Sequence, residues 1–585
     1  MSVTGKAVDL SLLRRIFTYI KPYRKRFFIS ASITILAAFI SPIRPWLIKY
    51  TFDNYIQTPD VGMLGKMTIL LVGLLFLEGI IQFFDSFLAN WIGQHIIKDL
   101  RVNLYKHITN LNLKYFDRTP IGTLITRAIS DMETIGDIFS DGLMVIIGDI
   151  LKLLVIITVM FFINAQLTWI SLATIPVLLI STYIFKNAIK SSFQEVRTQV
   201  ARLNTFVQEH ITGMNIVQIF NREDKELEKF VEINEKHKLA NIRSILAYSI
   251  FFPIVEILSS ASLALLVWWG GSGVLKGYTT IGDLMAFILY INMLFRPIRM
   301  LADRINTLQM GMVSSERVFK VLDTEASMVN QGTILAEKIH GNVDFKEVWF
   351  AYNEEEWVLK GISFHVNKGE MVALVGATGA GKSSIINLLN RFYEYNKGTI
   401  SIDGIDIRDY ELNSLRQQLA LVLQDVFLFS DTVANNITLN NPDISREQVI
   451  EASKAIGAHE FISQLPGAYD YNVMERGGTL SLGQRQLISF IRAYVYNPQI
   501  LILDEATSSI DTESEHIIQQ AIDKLTVNRT SIVIAHRLAT IQKADRIIVM
   551  DHGQIIEMGN HQELLKKNGQ YRKLFELQFK ENVPA

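Results

Sequence analysis

The sequence contains no cysteine among its 585 residues. Disulfides, thiolate metal sites and a cysteine nucleophile are thereby excluded, and the composition suits a reducing compartment. An excess of one charge is missing too. With 57 basic and 58 acidic residues the net charge is −1, so no global field draws the chain to nucleic acid. The opening MSVTGKAVDL lacks the basic start, apolar run and small-residue cleavage site of a secretory signal. A cytoplasmic beginning is the expectation.

Apolar residues, by contrast, make up 49% of the sequence. A chain this long calls for at least two domains, since single cores rarely exceed about 250–300 residues. The apolar residues gather before about residue 305, and charged, turn-rich stretches follow. A membrane half and a soluble half account for that gradient. A span needs about 20 mostly apolar residues, and six stretches qualify: 27–50, 67–91, 138–163, 167–185, 245–270 and 281–301.

Lysine and arginine crowd three places. Arg14, Arg15, Lys21 and Arg24 precede the first span; Lys98, Arg101, Lys106 and Lys114 follow the second; Lys186, Lys190, Arg197 and Arg202 follow the fourth. The remaining connections are nearly free of them, Lys66 and Lys276 excepted. Because basic loops stay on the cytoplasmic side, both termini and the two long loops are expected there. The expected location is the cytoplasmic (inner or plasma) membrane, crossed several times. The long loops keep a helical periodicity, broken at Thr119-Pro120-Ile121-Gly122 and around Gly213. They read as helical extensions turning through short transverse segments.

Charges inside spans are costly and face a cavity or a partner. Glu78 and Asp85 lie seven apart on one helix face, Asp149 and Lys152 are spaced to pair with each other, and Glu256 lies in the fifth span. One reading is a partly polar cavity for a cationic or amphipathic substrate; the other is structural pairing. Pro176, Pro253 and Pro297 are candidate kinks.

The soluble half carries recognisable chemistry. A buried strand, Met371-Val372-Ala373-Leu374-Val375, runs into Gly376-Ala377-Thr378-Gly379-Ala380-Gly381-Lys382-Ser383, and a helix follows from Ser384. This is G-x-x-x-x-G-K-[ST] between a strand and a helix. Its backbone amides wrap phosphate oxygens, and the helix N-terminus favours negative charge. Lys382 is expected at the β- and γ-phosphates and Ser383 on Mg²⁺. Downstream, the apolar strand around Ile500-Leu501-Ile502-Leu503 ends in Asp504-Glu505. Ligands sit beyond the carboxyl ends of such strands, which makes Asp504 a magnesium partner of Ser383 and Glu505 a general base toward water.

The chain resembles an ATP-binding-cassette exporter half-transporter of the multidrug and lipid-flippase type, over essentially its whole length. Leu480-Ser481-Leu482-Gly483-Gln484 resembles the family signature L-S-G-G-Q, with Leu482 where glycine is usual. The resemblance implies ATP and Mg²⁺, and a γ-phosphate held by Ser481, Leu482, Gly483 and Gln484 of the opposite cassette. It implies adenine stacking by Tyr352, magnesium sensing by Gln424, γ-phosphate contact by His536 and an interface loop at Asp511. Phe116-Asp117-Arg118-Thr119-Pro120-Ile121-Gly122 resembles one coupling helix region and 209–220 a second.

The implied fold is an α-helical six-span membrane domain with long cytoplasmic helical extensions, followed by an α/β P-loop cassette. The expected division is an N-terminal elbow at 1–26, the membrane domain at 27–322, a linker at 323–338 and the nucleotide-binding domain at 339–585. The implied partners are a second half-transporter, identical or related, membrane lipid, and a hydrophobic or amphipathic substrate; nucleic acid is not among them. An importer with the same fold and an ATP-gated regulator or channel are the alternatives.

Overall fold

In a computed structural model, residues 10–56, 60–325, 330, 332–353, 356–504, 512–535 and 537–579 are described. Their contacts divide the chain into two units, 1–109 with 120–324, and 110–119 with 325–585.

The first unit is helical. Six segments are long and apolar enough to cross a membrane: Lys21–Ile56, Val61–Thr109, Ile121–Ile163, Ala165–Thr212, Glu223–Leu275 and Ile281–Leu322, here spans 1 to 6. Span 2 has 49 residues and span 5 has 53. At 1.5 Å per residue these reach about 74 and about 80 Å, against roughly 30 Å of hydrocarbon. The excess is the helical extension expected of the long loops. A short helix, Met214–Ile219, joins spans 4 and 5 after Gly213 ends the preceding helix.

At the breaks in spans 1 and 4 a neighbour serves the backbone. Span 1 breaks between Ile40 and Ile43, and the buried Tyr290 of span 6 donates to the Pro42 carbonyl at 2.8 Å. Span 4 breaks between Leu172 and Ile175, and Ser262 of span 5 donates to the Ser171 carbonyl at 2.8 Å. Within hydrocarbon a freed carbonyl has no water to turn to, so such partners are what makes a break tolerable. Pro176 lies in the first turn after the span 4 break, whereas Pro253 and Pro297 sit inside continuous helices. Phe287, Tyr290 and Phe295 of span 6 form a core with Ile156, Met160, Leu178, Val255 and Leu266. Span 2 instead exposes Leu70, Phe76 and Phe83, as a lipid-facing helix does.

The charged residues of the spans are paired differently from expectation. Asp149 meets Arg304 of span 6, not Lys152. Span 6 packs beside span 3 and delivers a guanidinium to that carboxylate, which leaves Lys152 to other neighbours. Glu78 lies 3.5 Å from Arg44, Asp85 accepts from Thr34, and Glu256 lies 3.2 Å from Arg299. Glu78 and Asp85 thus share a face, as their spacing implies, and that face meets span 1.

The second unit is α/β. Its strands are β1 (Val343–Ala351), β2 (Trp357–Val366), β3 (Met371–Gly376), β4 (Lys397–Ile402) and β5 (Ile405–Asp406). The rest are β6 (Leu419–Val422), β7 (Ile500–Asp504), β8 (Thr530–Ile534), β9 (Arg546–Asp551) and β10 (Gln554–Gly559). A four-stranded antiparallel sheet has the order β2-β1-β4-β5, and a six-stranded sheet the order β10-β9-β3-β8-β7-β6. In the larger sheet β9, β3, β8, β7 and β6 are parallel. Strands covered on both faces read as continuous apolar runs, and β7 (Ile-Leu-Ile-Leu) and β8 (Ser-Ile-Val-Ile) do so. One core lies between the two sheets and the other between the large sheet and its helices.

Candidate nucleotide site

Strand register assembles the site. Leu374 pairs with Ile534, Asp504 with Ile534, and Val422 with Leu503. The carboxyl ends of β3, β8, β7 and β6 therefore share one sheet edge, where α/β proteins bind ligands. The phosphate loop leaves β3 at that edge. Gly376 has φ +152°, and a Cβ there would lie 2.2 Å from the Met550 carbonyl oxygen, so only glycine fits.

Ala377, Thr378 and Gly379 are exposed at the lip of the loop, and Ala380 and Gly381 turn inward. The helix Lys382–Leu389 starts immediately afterwards. Its first turn splits in role: Lys382 and Ser384 are buried, and Ser383 is exposed. The Lys382 amine donates to the carbonyls of Gly376, at 2.7 Å, and Ala377, at 2.9 Å. Burial pushes its pKa down, and the charge of Asp504 opposes that shift. An ammonium that is buried and, among the described residues, held by loop carbonyls, beside an exposed lip of amides, fits a polyphosphate. The exposed Ser383 hydroxyl, with Asp504 at the end of β7, fits a phosphate-bound Mg²⁺.

Tyr352 lies against this helix. Its hydroxyl is 3.2 Å from Ser384 Oγ and accepts from Asn387 at 3.1 Å, and its ring meets Phe350 and Tyr393 edge-on. Gln424 is exposed, two residues beyond β6. Glu505, Asp511 and His536 lie outside the described residues.

The signature forms a separate element. Ser481 caps the helix Leu482–Val495. Ser481 Oγ accepts from the Gln484 amide at 3.2 Å, and Gln484 Oε1 accepts from the Ser481 amide at 3.0 Å, a reciprocal capping box. Leu482 is the first helical residue, and its side chain is only partly buried. The backbone amide at that position stands at the helix start, as it would with glycine. Arg485 braces the approach by donating to Leu480 O at 2.9 Å.

Sequence reasoning missed the contacts that hold Asn110–Thr119 to the second unit. Arg118 donates to Asn353 at 2.8 Å, and Tyr393 donates to Asp117. Burial and that carboxylate both push the Tyr393 pKa up. The motif at 116–118 was visible; its partners Tyr393 and Asn353, far away in sequence, carry no local signal.

A six-span membrane unit followed by a phosphate-loop unit defines a nucleotide-driven membrane transporter. The family model of the ABC transporter transmembrane region matches residues 27–298, and that of the ABC transporter matches 359–508. Among curated relatives, the ABC transporter ATP-binding protein YknV of Bacillus subtilis, uncharacterized, is 39% identical, covering 99% of this chain and 96% of its own length. YgaD of the same organism, provisionally named a multidrug export ATP-binding/permease protein, is 38% identical over 97% of this chain and 100% of its own. The ATP-dependent lipid A-core flippase of Syntrophus aciditrophicus is 35% identical over 98% and 95%. The chain belongs to the ABC transporter family, as a multi-pass membrane half-transporter of the ATP-hydrolysing exporter kind.

Proposed function

We propose that two such half-transporters, identical or related, pair to move a hydrophobic or amphipathic molecule out of the cytoplasmic leaflet at the expense of ATP. The observation that carries this reading is a phosphate loop with a buried lysine, built on the same chain as six spans. In this reading Gly376, Ala377, Thr378, Gly379, Ala380, Gly381, Lys382, Ser383 and Ser384 cradle the phosphates, and Tyr352 packs on adenine. Ser383, Asp504 and Gln424 would hold Mg²⁺, which supplies charge neutralisation at the β- and γ-phosphate oxygens. Glu505 orients the attacking water, and His536 contacts the γ-phosphate. Ser481, Leu482, Gly483 and Gln484 close the site from the opposite cassette, with Asp511 at the crossing.

Each site then needs groups from two cassettes, so ATP favours the joined state. ATP drives transport by binding that state more tightly than the open one. The basic loops support a cytoplasmic position for the cassettes and both termini. The test is the purified chain alone in liposomes: magnesium-dependent ATP hydrolysis with vectorial movement of an amphipathic dye is expected, and Glu505→Gln is expected to abolish both. Hydrolysis without movement would favour an ATP-gated regulator, inward movement an importer, and no turnover by the lone chain an obligate heterodimer.

A further inference from the structure

Two side chains of the helix that follows the phosphate loop converge on one phenol. Asn387 Nδ2 donates to the Tyr352 hydroxyl at 3.1 Å, and Ser384 Oγ lies 3.2 Å from the same oxygen. Three residues apart on the helix, Ser384 and Asn387 share one face, and Tyr352 lies across it. The ring is confined as well. Phe350 meets it edge-on with centroids 4.7 Å apart and Tyr393 does so at 5.0 Å, while Phe350 and Tyr393 meet each other at 5.9 Å. Tyr352 directly follows β1, so the strand sets its backbone and the helix fixes the far end of its side chain.

The same helix carries the phosphate chemistry, in its first turn. Lys382 donates to the loop carbonyls, Ser383 faces outward and Ser384 is buried. Asn387 stands beyond that turn, outside the phosphate loop, and its side-chain amide reaches sideways to Tyr352. A tyrosine free to turn has to be ordered each time a base stacks on it, and that ordering subtracts from affinity. A tyrosine tied to the helix has met that cost on folding. The tie also fixes the distance between the ring and the phosphate loop, because one rigid helix holds both.

We infer that Asn387 is a positioning residue for the nucleotide base. Through its bond to the Tyr352 hydroxyl it holds the ring in register with the phosphate loop, so base and phosphates are received by surfaces already set at one spacing. This rests on the reading in which Tyr352 packs on adenine. Losing the bond frees the ring and leaves the phosphate loop intact, so the cost falls on binding of the base and not on the chemical step.

The test is calorimetric binding of two probes to the full-length protein with Mg²⁺: a non-hydrolysable ATP analogue, and inorganic tripolyphosphate, which has no base. Asn387→Leu removes the donor. It is expected to weaken the analogue by about three- to tenfold, as loss of one neutral hydrogen bond does, and to leave tripolyphosphate affinity unchanged. In ATP hydrolysis KM should rise by the same factor while kcat stays within about twofold. Tyr352→Phe cuts the bond from its other end, and the double variant should bind the analogue no more weakly than Tyr352→Phe alone. An equal loss of tripolyphosphate affinity in Asn387→Leu overturns the inference, because the residue then supports the loop. No loss for either probe in Asn387→Leu, with Tyr352→Ala still weakening the analogue alone, overturns the inference and leaves the stacking in place. If Tyr352→Ala also keeps the analogue's full advantage over tripolyphosphate, the adenine reading itself fails. Should Asn387→Leu not fold, Tyr352→Phe decides: undiminished analogue affinity overturns the inference.

Discussion

The Lys382 ammonium donates to the Gly376 carbonyl at 2.7 Å, so the loop's cation rests on the loop's own backbone. Those carbonyl dipoles satisfy its protons without neutralising its charge, and burial makes the charge costly. On the proposed reading, a polyphosphate would add negative charge to that of Asp504 in a site already shaped. Lys382→Ala is therefore expected to lower nucleotide affinity by about tenfold or more and hydrolysis by about a hundredfold. The cassette should still fold, since the substitution also removes a desolvation cost. Binding of a fluorescent ATP analogue and thermal unfolding of the full chain check the two halves of this prediction.

Two glycines with positive φ separate backbone freedom from close approach. Gly369 has φ +74° with open space where a Cβ would go, whereas at Gly376 the Cβ would collide with the Met550 carbonyl on β9. Gly369→Ala should cost about 1 kcal/mol, the strain of a left-handed residue alone. Gly376→Ala should cost about 3 kcal/mol or more, because a ladder carbonyl cannot yield without parting β3 from β9. Urea unfolding of the full chain, read at the cassette transition, should rank them in that order.

What was legible in the sequence was whatever is contiguous. The apolar strand, glycine loop and helix at 371–389 follow one another without a gap, so their chemistry could be read residue by residue. The six spans were equally plain, because a bilayer demands about 20 apolar residues in a row. Partners brought in from afar were not legible. Asp149 has Lys152 within one helical turn, yet Arg304 from another span takes it. The breaks in spans 1 and 4 depend on Tyr290 and Ser262, which no local pattern ties to Pro42 or Ser171. The signature helix starts at Leu482 because Ser481 and Gln484 cap each other; the S-x-x-Q spacing was available as a signal and went unread.

Asp403 predicts an acid sensitivity. Burial pushes its pKa up, but amides of Asn342, His340 and Gly341 donate to it and more than offset that, holding it below the usual carboxylate range. A depressed carboxylate contributes stability above its unfolded value of about 4, and that stability is lost as pH falls through the folded value. Between pH 7 and 5 the contribution should be constant, and below about 4 it should disappear. Asp403→Asn is expected to cost about 1–2 kcal/mol at neutral pH and to flatten the acid limb. Thermal unfolding of both proteins from pH 7 to pH 3 gives the comparison; parallel curves would show that Asp403 is not the group responsible.

The last prediction concerns the Asn110–Thr119 segment, whose Asp117 accepts from Tyr393. The Tyr393 ring also meets Tyr352 edge-on, with centroids 5.0 Å apart, and Tyr352 is hydrogen-bonded to the helix that follows the phosphate loop. On the proposed reading, a nucleotide settling against Tyr352 would press on a ring that holds the segment between spans 2 and 3. Tyr393→Phe removes only the hydroxyl and keeps the ring packing, so hydrolysis should stay within about twofold while the link to Asp117 is lost. A charge-assisted hydrogen bond is worth about 1.5–3 kcal/mol, which corresponds to a loss of coupling of roughly tenfold or more. Arg118→Ala, which gives up the contact with Asn353, should act in the same direction, and the double variant should exceed either alone. Transport per ATP hydrolysed, measured in proteoliposomes, is the readout. A proportional fall in hydrolysis and transport would mean that Tyr393 supports the nucleotide pocket and does not carry its closure to the spans.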